Sequence, residues 1–173
     1  PHPVRSAEHA RVQTYLMQRM TALGLNPHIQ TGPLSSRAMR LLEREGVSAN
    51  GLTAANLVGV LPGRDPGRPA VLMMAHYDSV PGSPGAADDA TGVAAILEAV
   101  RAIRARGGAD RDLIILLTDA EELNLDGARA FFAGHPWRNR IGAVVNLEAR
   151  GGGGRAMMFE TGPGNAQTIA DYT

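Results

Sequence analysis

The stretch that decides the fold is an apolar run followed at once by acidic residues, Leu113-Ile114-Ile115-Leu116-Leu117-Thr118-Asp119-Ala120-Glu121-Glu122. Short runs of this kind, bounded by Gly, Pro or Asp, indicate β-strands. The apolar residues are continuous rather than alternating, which is expected of a strand covered on both faces. We therefore predict a buried strand at 113–118 with acidic side chains at its carboxyl end.

Further runs along the chain predict an alternation of strands and helices. Such an alternation is typical of a three-layer α/β/α sandwich with a mixed, mostly parallel central sheet. Additional strands are predicted at His28–Thr31, Ala55–Leu61, Ala70–Ala75, Ile141–Leu147 and Ala156–Phe159; helices are predicted between a Ser6 cap and Gly24, at Ser36–Glu45, through Val93 to Ile103, at Gly127–Ala133, and opening at 164–173.

Length and composition limit the possible classes of protein. The 173 residues are enough for one domain with a hydrophobic core. Seventeen basic and seventeen acidic residues cancel, so the chain has no electrostatic footprint for nucleic acid. The absence of cysteine excludes disulfides, thiolate metal ligands and cysteine nucleophiles. No apolar run is long enough to span a bilayer, so no membrane contact is expected from this segment.

Three predicted strands end in His or acidic residues. His76-Tyr77-Asp78-Ser79 follows the strand at 70–75, with Asp88-Asp89 shortly after, and Asn146-Leu147-Glu148 ends the strand at 141–147. In sheets of this class, functional residues gather at the carboxyl ends of strands. A His with several carboxylates is a nitrogen and oxygen donor set for a metal ion, and carboxylates that converge need a cation between them.

Each motif by itself also has a structural interpretation. Asp88-Asp89 before a helix is commonly a cap, and Glu121-Glu122 is commonly a solvated turn. Their joint occurrence at consecutive strand ends favours the metal site. The other histidines are not expected to be ligands, because they lie in a terminal tail, on the first helix, on an early strand and in a loop: His2, His9, His28 and His135.

Taken together, these motifs resemble the co-catalytic zinc exopeptidases, a family that includes bacterial leucyl aminopeptidases, aminopeptidase Y and glutaminyl cyclase. The matching stretches are His76-Tyr77-Asp78-Ser79, Gly85 to Gly92, Asp119 to Glu122, and Asn146-Leu147-Glu148. Pro1-His2-Pro3 and residues 146–151 look most like the endoplasmic-reticulum and vacuolar membrane branch. The resemblance covers nearly the whole chain. It implies a zinc exopeptidase fold, incomplete at its carboxy-terminal end, with residues 1–173 forming a single catalytic domain truncated before its final metal ligand.

The resemblance also implies a role for each site residue. His76, Asp88 and Glu148 would hold one zinc ion, while Asp88, Glu122 and a later His would hold a second. Asp78 would fix the tautomer and orientation of His76 through a hydrogen bond, and Glu121 would be the general base. Glu148 stands where many members have Asp, and the later His is absent. The Asp88–Asp89 peptide bond would be cis.

The function implied is that of a zinc-dependent exopeptidase acting on peptides, foremost an aminopeptidase. Two alternatives stay open: a glutaminyl cyclase with a single zinc, and a binding homologue that has lost its metals. The filled ligand positions argue against the binding homologue. Residues 1–173 alone are expected to be inactive, to bind at most one zinc well, and to self-associate through an uncovered edge beside the last strands. The resemblance favours an extracytoplasmic location.

Overall fold

Five of the six predicted strands pair into one sheet in the computed structural model, which describes residues 1–149, 154–158 and 160–172. The strands are β1 (His28–Pro33), β2 (Thr53–Leu61), β3 (Ala70–His76), β4 (Leu113–Thr118) and β5 (Ile141–Asn146). Their order across the sheet is β1-β2-β4-β3-β5, so the apolar strand β4 lies in the middle.

The predicted mixed sheet is confirmed, with parallel pairing confined to one half of it. β1 pairs antiparallel with β2, and β2 antiparallel with β4, whereas β3 pairs parallel with both β4 and β5. The connection between β2 and β3, residues 62–69, contains no crossover helix. A parallel return requires such a helix, so β3 runs opposite to β2 and the sheet is less parallel than the sequence suggests.

The helices cover both faces of the sheet. They are α1 (Ala7–Ala22), α2 (Ser36–Arg44), α3 (Thr91–Ala105), α4 (Glu121–Asn124), α5 (Asp126–Gly134) and α6 (Ala166–Tyr172), with a π-helical turn at Ala86–Ala90 and a 3-10 helix at Pro136–Arg140. As predicted, the Ser6 side chain caps α1 by accepting a hydrogen bond from the His9 amide. Within the described residues, every helix is too short or too polar to cross a bilayer.

Strand β4 shows why the molecule has three layers. Because successive strand side chains point to opposite faces, Ile115 and Leu117 pack in the cluster that includes α1 and α3. Ile114 and Leu116 pack on the other face, against Phe131 of α5. All six residues of β4 are buried, so the prediction of a strand covered on both faces is confirmed.

The structure departs from the sequence prediction near the carboxy-terminal end. Ala156–Phe159 was expected to be a strand, but residues 156–158 have no strand geometry, and Phe159 lies outside the described residues. A strand requires a partner backbone, and a short apolar run carries no information about one. The edge strand β5 keeps Val144 and Val145 about half exposed.

Candidate metal centre

The acidic motifs meet at one edge of the sheet because β4, β3 and β5 are parallel neighbours. Their carboxyl ends therefore point the same way. His76 is the last residue of β3, Glu121 begins α4 soon after β4, and Glu148 lies two residues beyond β5. The expectation that functional side chains gather at this edge agrees with their positions.

Distances within the site centre on the imidazole of His76. Its Nε2 atom lies 2.8 Å from Asp88 Oδ1, 3.6 Å from Glu148 Oε1 and 4.0 Å from Glu121 Oε2. One donor atom from each of His76, Asp88 and Glu148 fits within a 4.8 Å span. Among the described residues, a second group with the same span contains His76, Glu121 and Glu122. The structure thus brings all four expected ligands to one place, with His76 common to both groups.

Asp88 reaches the site from the π-helical turn between β3 and α3. Its backbone departs from helical geometry, with φ −113° and ψ 97°, and the Asp88–Asp89 peptide bond is cis, as the resemblance implies. The next carboxylate, Asp89, is buried and accepts hydrogen bonds from the amides of His76 and Gly92. A Cβ at Gly92 would lie 2.4 Å from Asp89 Oδ1, so this close contact requires glycine.

Asp78 contacts His76 differently from the sequence prediction. The backbone carbonyl of Asp78, rather than its carboxylate, accepts the hydrogen bond from His76 Nδ1 at 2.9 Å. A carbonyl can only accept, so Nδ1 carries a proton, and Nε2 faces the carboxylates. The carboxylate of Asp78 lies 3.6 Å from Nδ1. It accepts hydrogen bonds from the backbone amides of Glu121 (3.0 Å) and Glu122 (3.2 Å), which have no partner within the helix because they lie in the first turn of α4. Asp78 therefore orients His76 through its main chain and the two glutamates through its side chain.

The site concentrates negative charge around one imidazole. Burial disfavours the charged form of His76, but the carboxylates of Asp78, Glu148 and Glu121 outweigh burial and raise the pKa of His76 to about 12. Burial, reinforced by Glu148 and other carboxylates, raises the pKa of Glu121 to about 7, and burial raises the pKa of Asp89 to about 6. The nearby imidazole of His76 lowers the pKa of Glu148. A bound cation would neutralise this concentration of negative charge.

The donor set fits zinc. Zinc is bound in proteins by imidazole nitrogen and carboxylate oxygen, and three protein ligands are usual where the metal has a catalytic role. His76, Asp88 and Glu148 provide one nitrogen and two carboxylates within the required span. The hydrogen bond from Nδ1 to a carbonyl is the contact that commonly orients a metal-binding His.

The remaining histidines have other contacts. His2 was expected to lie in a terminal tail, but its amide donates a hydrogen bond to Ser79 Oγ, which attaches it to the loop after β3. His9 is buried on α1. His28 and His135 stack on each other with their Nε2 atoms 3.3 Å apart. Within the described part of the chain, none of these four residues joins either donor group.

Sequence reasoning found Asp89 and Asp119 within the motifs but assigned neither of them a role. Asp119 is 1% exposed and Asp89 is 2% exposed. Each is an acidic residue within two positions of an expected site residue, and their burial is the signal that the sequence does not provide. Both accept backbone hydrogen bonds that fix the loops carrying Asp88 and Glu121.

The model of peptidase family M28 matches residues 56–173, a range that contains every site residue described above. The chain belongs to peptidase family M28. This membership confirms the relationship to zinc exopeptidases that the motifs indicated.

Two curated relatives show how far the similarity extends. The chain is 41% identical over 118 residues to endoplasmic reticulum metallopeptidase 1 of Homo sapiens, covering 68% of this chain and 13% of the human protein. It is 35% identical over 160 residues to a vacuolar membrane protease of Candida dubliniensis, covering 92% of this chain and 17% of that protein. The chain therefore spans less than a fifth of either relative.

Solved structures share the fold. A glutaminyl cyclase of Macrostomum lignano matches with a TM-score of 0.70 at 19% identity, covering 99% of this chain and 55% of the other. The zinc aminopeptidase BSAP of Bacillus subtilis matches with a TM-score of 0.53 at 29% identity, covering 58% of this chain and 25% of the other. These likenesses confirm the predicted fold of this M28 chain.

Proposed function

We propose that residues 1–173 form the metal-binding part of the catalytic domain of a zinc-dependent exopeptidase, specifically an aminopeptidase that releases N-terminal residues from peptides. The observation that carries this proposal is the convergence of His76, Asp88 and Glu148 donor atoms within 4.8 Å, with Glu121 beside them. Membership of family M28 and the similarity to a zinc aminopeptidase support it.

Each residue has a defined task in this proposal. His76, Asp88 and Glu148 bind one zinc ion, and Asp88 with Glu122 contributes to a second in the full-length protein. When bound, zinc polarises the peptide carbonyl and lowers the pKa of water. Asp78 accepts hydrogen bonds from the backbone amides of both glutamates and so fixes the turn from which their side chains reach the site.

Glu121 carries the proton in the reaction. Its side chain is about a quarter exposed and ends 4.0 Å from His76 Nε2, beside the expected ligands. It accepts a proton from the attacking water, whose oxygen forms a bond to the peptide carbon. The carbon–nitrogen bond then breaks, and Glu121 returns the proton to the leaving amine. Proton transfer of this kind contributes about 10²–10⁴-fold to a rate.

A second candidate is a glutaminyl cyclase that uses one zinc ion. The group of His76, Asp88 and Glu148 favours it, because these three residues supply one nearly complete site without further ligands. The likeness to a solved glutaminyl cyclase, at 19% identity, supports a shared fold alone. A non-catalytic binding homologue is disfavoured because every ligand position expected within residues 1–173 carries a donor.

The test compares substrates on the zinc-loaded full-length protein. We expect release of the first residue from aminoacyl-anilides and free peptides, and no cleavage after N-acetylation. Ring closure of N-terminal glutaminyl peptides without hydrolysis would select the cyclase, and no turnover of either class would contradict both enzymes. The variant His76→Ala serves as the control that lacks the shared metal ligand.

We also propose that the full-length protein acts outside the cytoplasm. Relatives named for the endoplasmic reticulum and the vacuolar membrane support an extracytoplasmic site of action.

The half-exposed Val144 and Val145 on edge strand β5 provide an apolar surface for association of residues 1–173. Light scattering should show dimers or larger species that the variant Val145→Lys reduces; a monomer at high concentration would contradict this.

A further inference from the structure

A buried carboxylate lies directly behind the turn that carries Glu121 and Glu122. Asp119 follows the last residue of β4 and is 1% exposed. Its Oδ1 atom accepts a hydrogen bond from the Ala120 amide at 2.8 Å, and its Oδ2 atom accepts one from the Ala55 amide of β2 at 2.8 Å. A carboxylate buried this deeply needs strong donors around it.

The residue between Asp119 and Glu121 has an uncommon backbone conformation. Ala120 has φ +54° and ψ +34°, in the left-handed region that residues with a Cβ rarely adopt. It is fully buried, and Asp119 holds its amide. This conformation turns the chain so that the amides of Glu121 and Glu122 donate to Asp78. The left-handed turn therefore sets the direction in which both glutamates leave the backbone.

The remaining donor to Asp119 comes from helix α1, which precedes the matched M28 range of 56–173. His9 Nε2 lies 2.8 Å from Asp119 Oδ1, and His9 is 7% exposed. The imidazole stacks on the ring of Tyr77, with centroids 5.0 Å apart and planes 17° apart. This stacking fixes the ring plane so that the Nε2 proton points at the carboxylate.

We propose that His9 is a positioning residue for Glu121 and Glu122. By donating to Asp119, it keeps the Ala120 turn in the left-handed conformation; the inference rests on the proposed roles of the two glutamates. Without this donor, Asp119 loses a strong partner and the turn can relax to a commoner conformation. A displacement of about 1 Å at a reacting group can lower a rate about 100-fold. Because His9 does not face the site, kcat should change more than KM.

The experiment uses the full-length protein and separates the donor from the ring. His9→Phe keeps a ring to stack on Tyr77 but cannot donate, whereas His9→Gln loses the ring and places an amide donor where Nε2 was. We expect His9→Phe to lower kcat by about tenfold or more with KM nearly unchanged, and His9→Gln to restore most of the rate. Equal kcat in His9→Phe and wild type, or equal loss in both variants, would overturn the proposal.

A matched control lies on the same helix. Gln13 donates to the Tyr77 hydroxyl at 3.1 Å and ties α1 to the sheet without contacting Asp119. We expect Gln13→Met to leave kcat unchanged. If it lowered kcat as much as His9→Phe, the effect would come from docking of α1, and the positioning role would be wrong.

Zinc affinity provides a readout that does not depend on turnover. Competition with a chromogenic chelator should show weaker zinc binding in His9→Phe than in His9→Gln, because Glu122 lies on the same turn. A wild-type protein that binds zinc but hydrolyses no peptide would contradict the proposed function, while the affinities would still test the role of His9. Equal affinities in all variants would overturn that role. If His9→Phe does not fold, His9→Met replaces the ring with an apolar side chain of similar length.

Discussion

Glu121 and Glu122 are adjacent, and the Asp78 carboxylate accepts a hydrogen bond from the amide of each. We propose that Glu121 is the general base and that Glu122 is a zinc ligand. In the full-length protein, Glu121→Gln keeps the size of the side chain and removes the base. We expect kcat to fall about 10²–10⁴-fold with zinc affinity almost unchanged. Steady-state kinetics and a chelator competition measure the two quantities.

Glu122→Gln is the matched variant one position along. It removes a charged oxygen ligand and should weaken zinc binding, with activity partly restored by added zinc. The assignment would be reversed if Glu121→Gln lost zinc and Glu122→Gln lost only the rate.

The Asp78 carboxylate provides a prediction on stability. In Asp78→Asn, one of the two oxygens becomes an amide nitrogen, so one amide among Glu121 and Glu122 faces a donor instead of an acceptor. Leaving a buried donor unpaired costs about 1–3 kcal/mol, and the free energy of unfolding should fall by that amount. Denaturant unfolding of the metal-free protein measures it.

The control for this change is an exposed aspartate. Asp110 pairs with Arg64 on the surface, and Asp110→Asn should leave the free energy of unfolding almost unchanged. Equal stability of Asp78→Asn and Asp110→Asn would show that the carboxylate of Asp78 does not hold the turn.

At the scale of elements, helix α5 approaches the site turn so closely that its second residue must be glycine. A Cβ at Gly127 would lie 2.2 Å from the Asp119 carbonyl oxygen and 2.3 Å from Asn56 Oδ1. Gly127→Ala would therefore push α5 away from the sheet. We expect a loss of about 1–3 kcal/mol in the free energy of unfolding, measured by denaturant titration.

Gly134 at the other end of α5 provides the comparison. A Cβ there meets no atom within 4 Å, so Gly134→Ala should leave stability unchanged or slightly raised, since alanine is the better helix former. If both alanine variants behaved alike, close packing of α5 would not explain Gly127.

For the whole molecule, the number of ligands at each proposed position limits zinc binding. His76, Asp88 and Glu148 supply three ligands to one ion, whereas residues 1–173 supply only Asp88 and Glu122 to the second, too few to compete with water. Calorimetric titration of residues 1–173 should give one tight zinc ion per chain, together with a rise in Tm from binding to the folded state. Two tight sites would contradict this expectation.

The same titration has a matched pair of variants. His76→Ala should abolish the tight site, whereas His28→Ala should keep it, because His28 contacts His135 and belongs to neither donor group. Loss of binding in both variants would mean that the site depends on the fold in general rather than on His76.

The sequence by itself determined five of the strands, the fold class and the set of candidate ligands. The bounds of the strands at 113–118 and 70–76 were predicted to within one residue, because local patterns of apolar residues indicate strands. The order of strand-end motifs then placed His76, Asp88, Glu122 and Glu148 on one edge, since parallel neighbours end on the same side.

Only the tertiary structure decided which partner each polar group meets. The Asp78 carboxylate contacts amides more than 40 residues away, and His9 meets Asp119 across 110 residues of chain. Residues 156–158 likewise form no strand, because strand formation depends on a neighbouring backbone that a local pattern does not specify. Hydrogen bonds are short and directional, so a shift of about 1 Å changes which groups are paired. Burial of apolar side chains is non-directional, so the order of apolar and polar residues along the chain is enough to predict it.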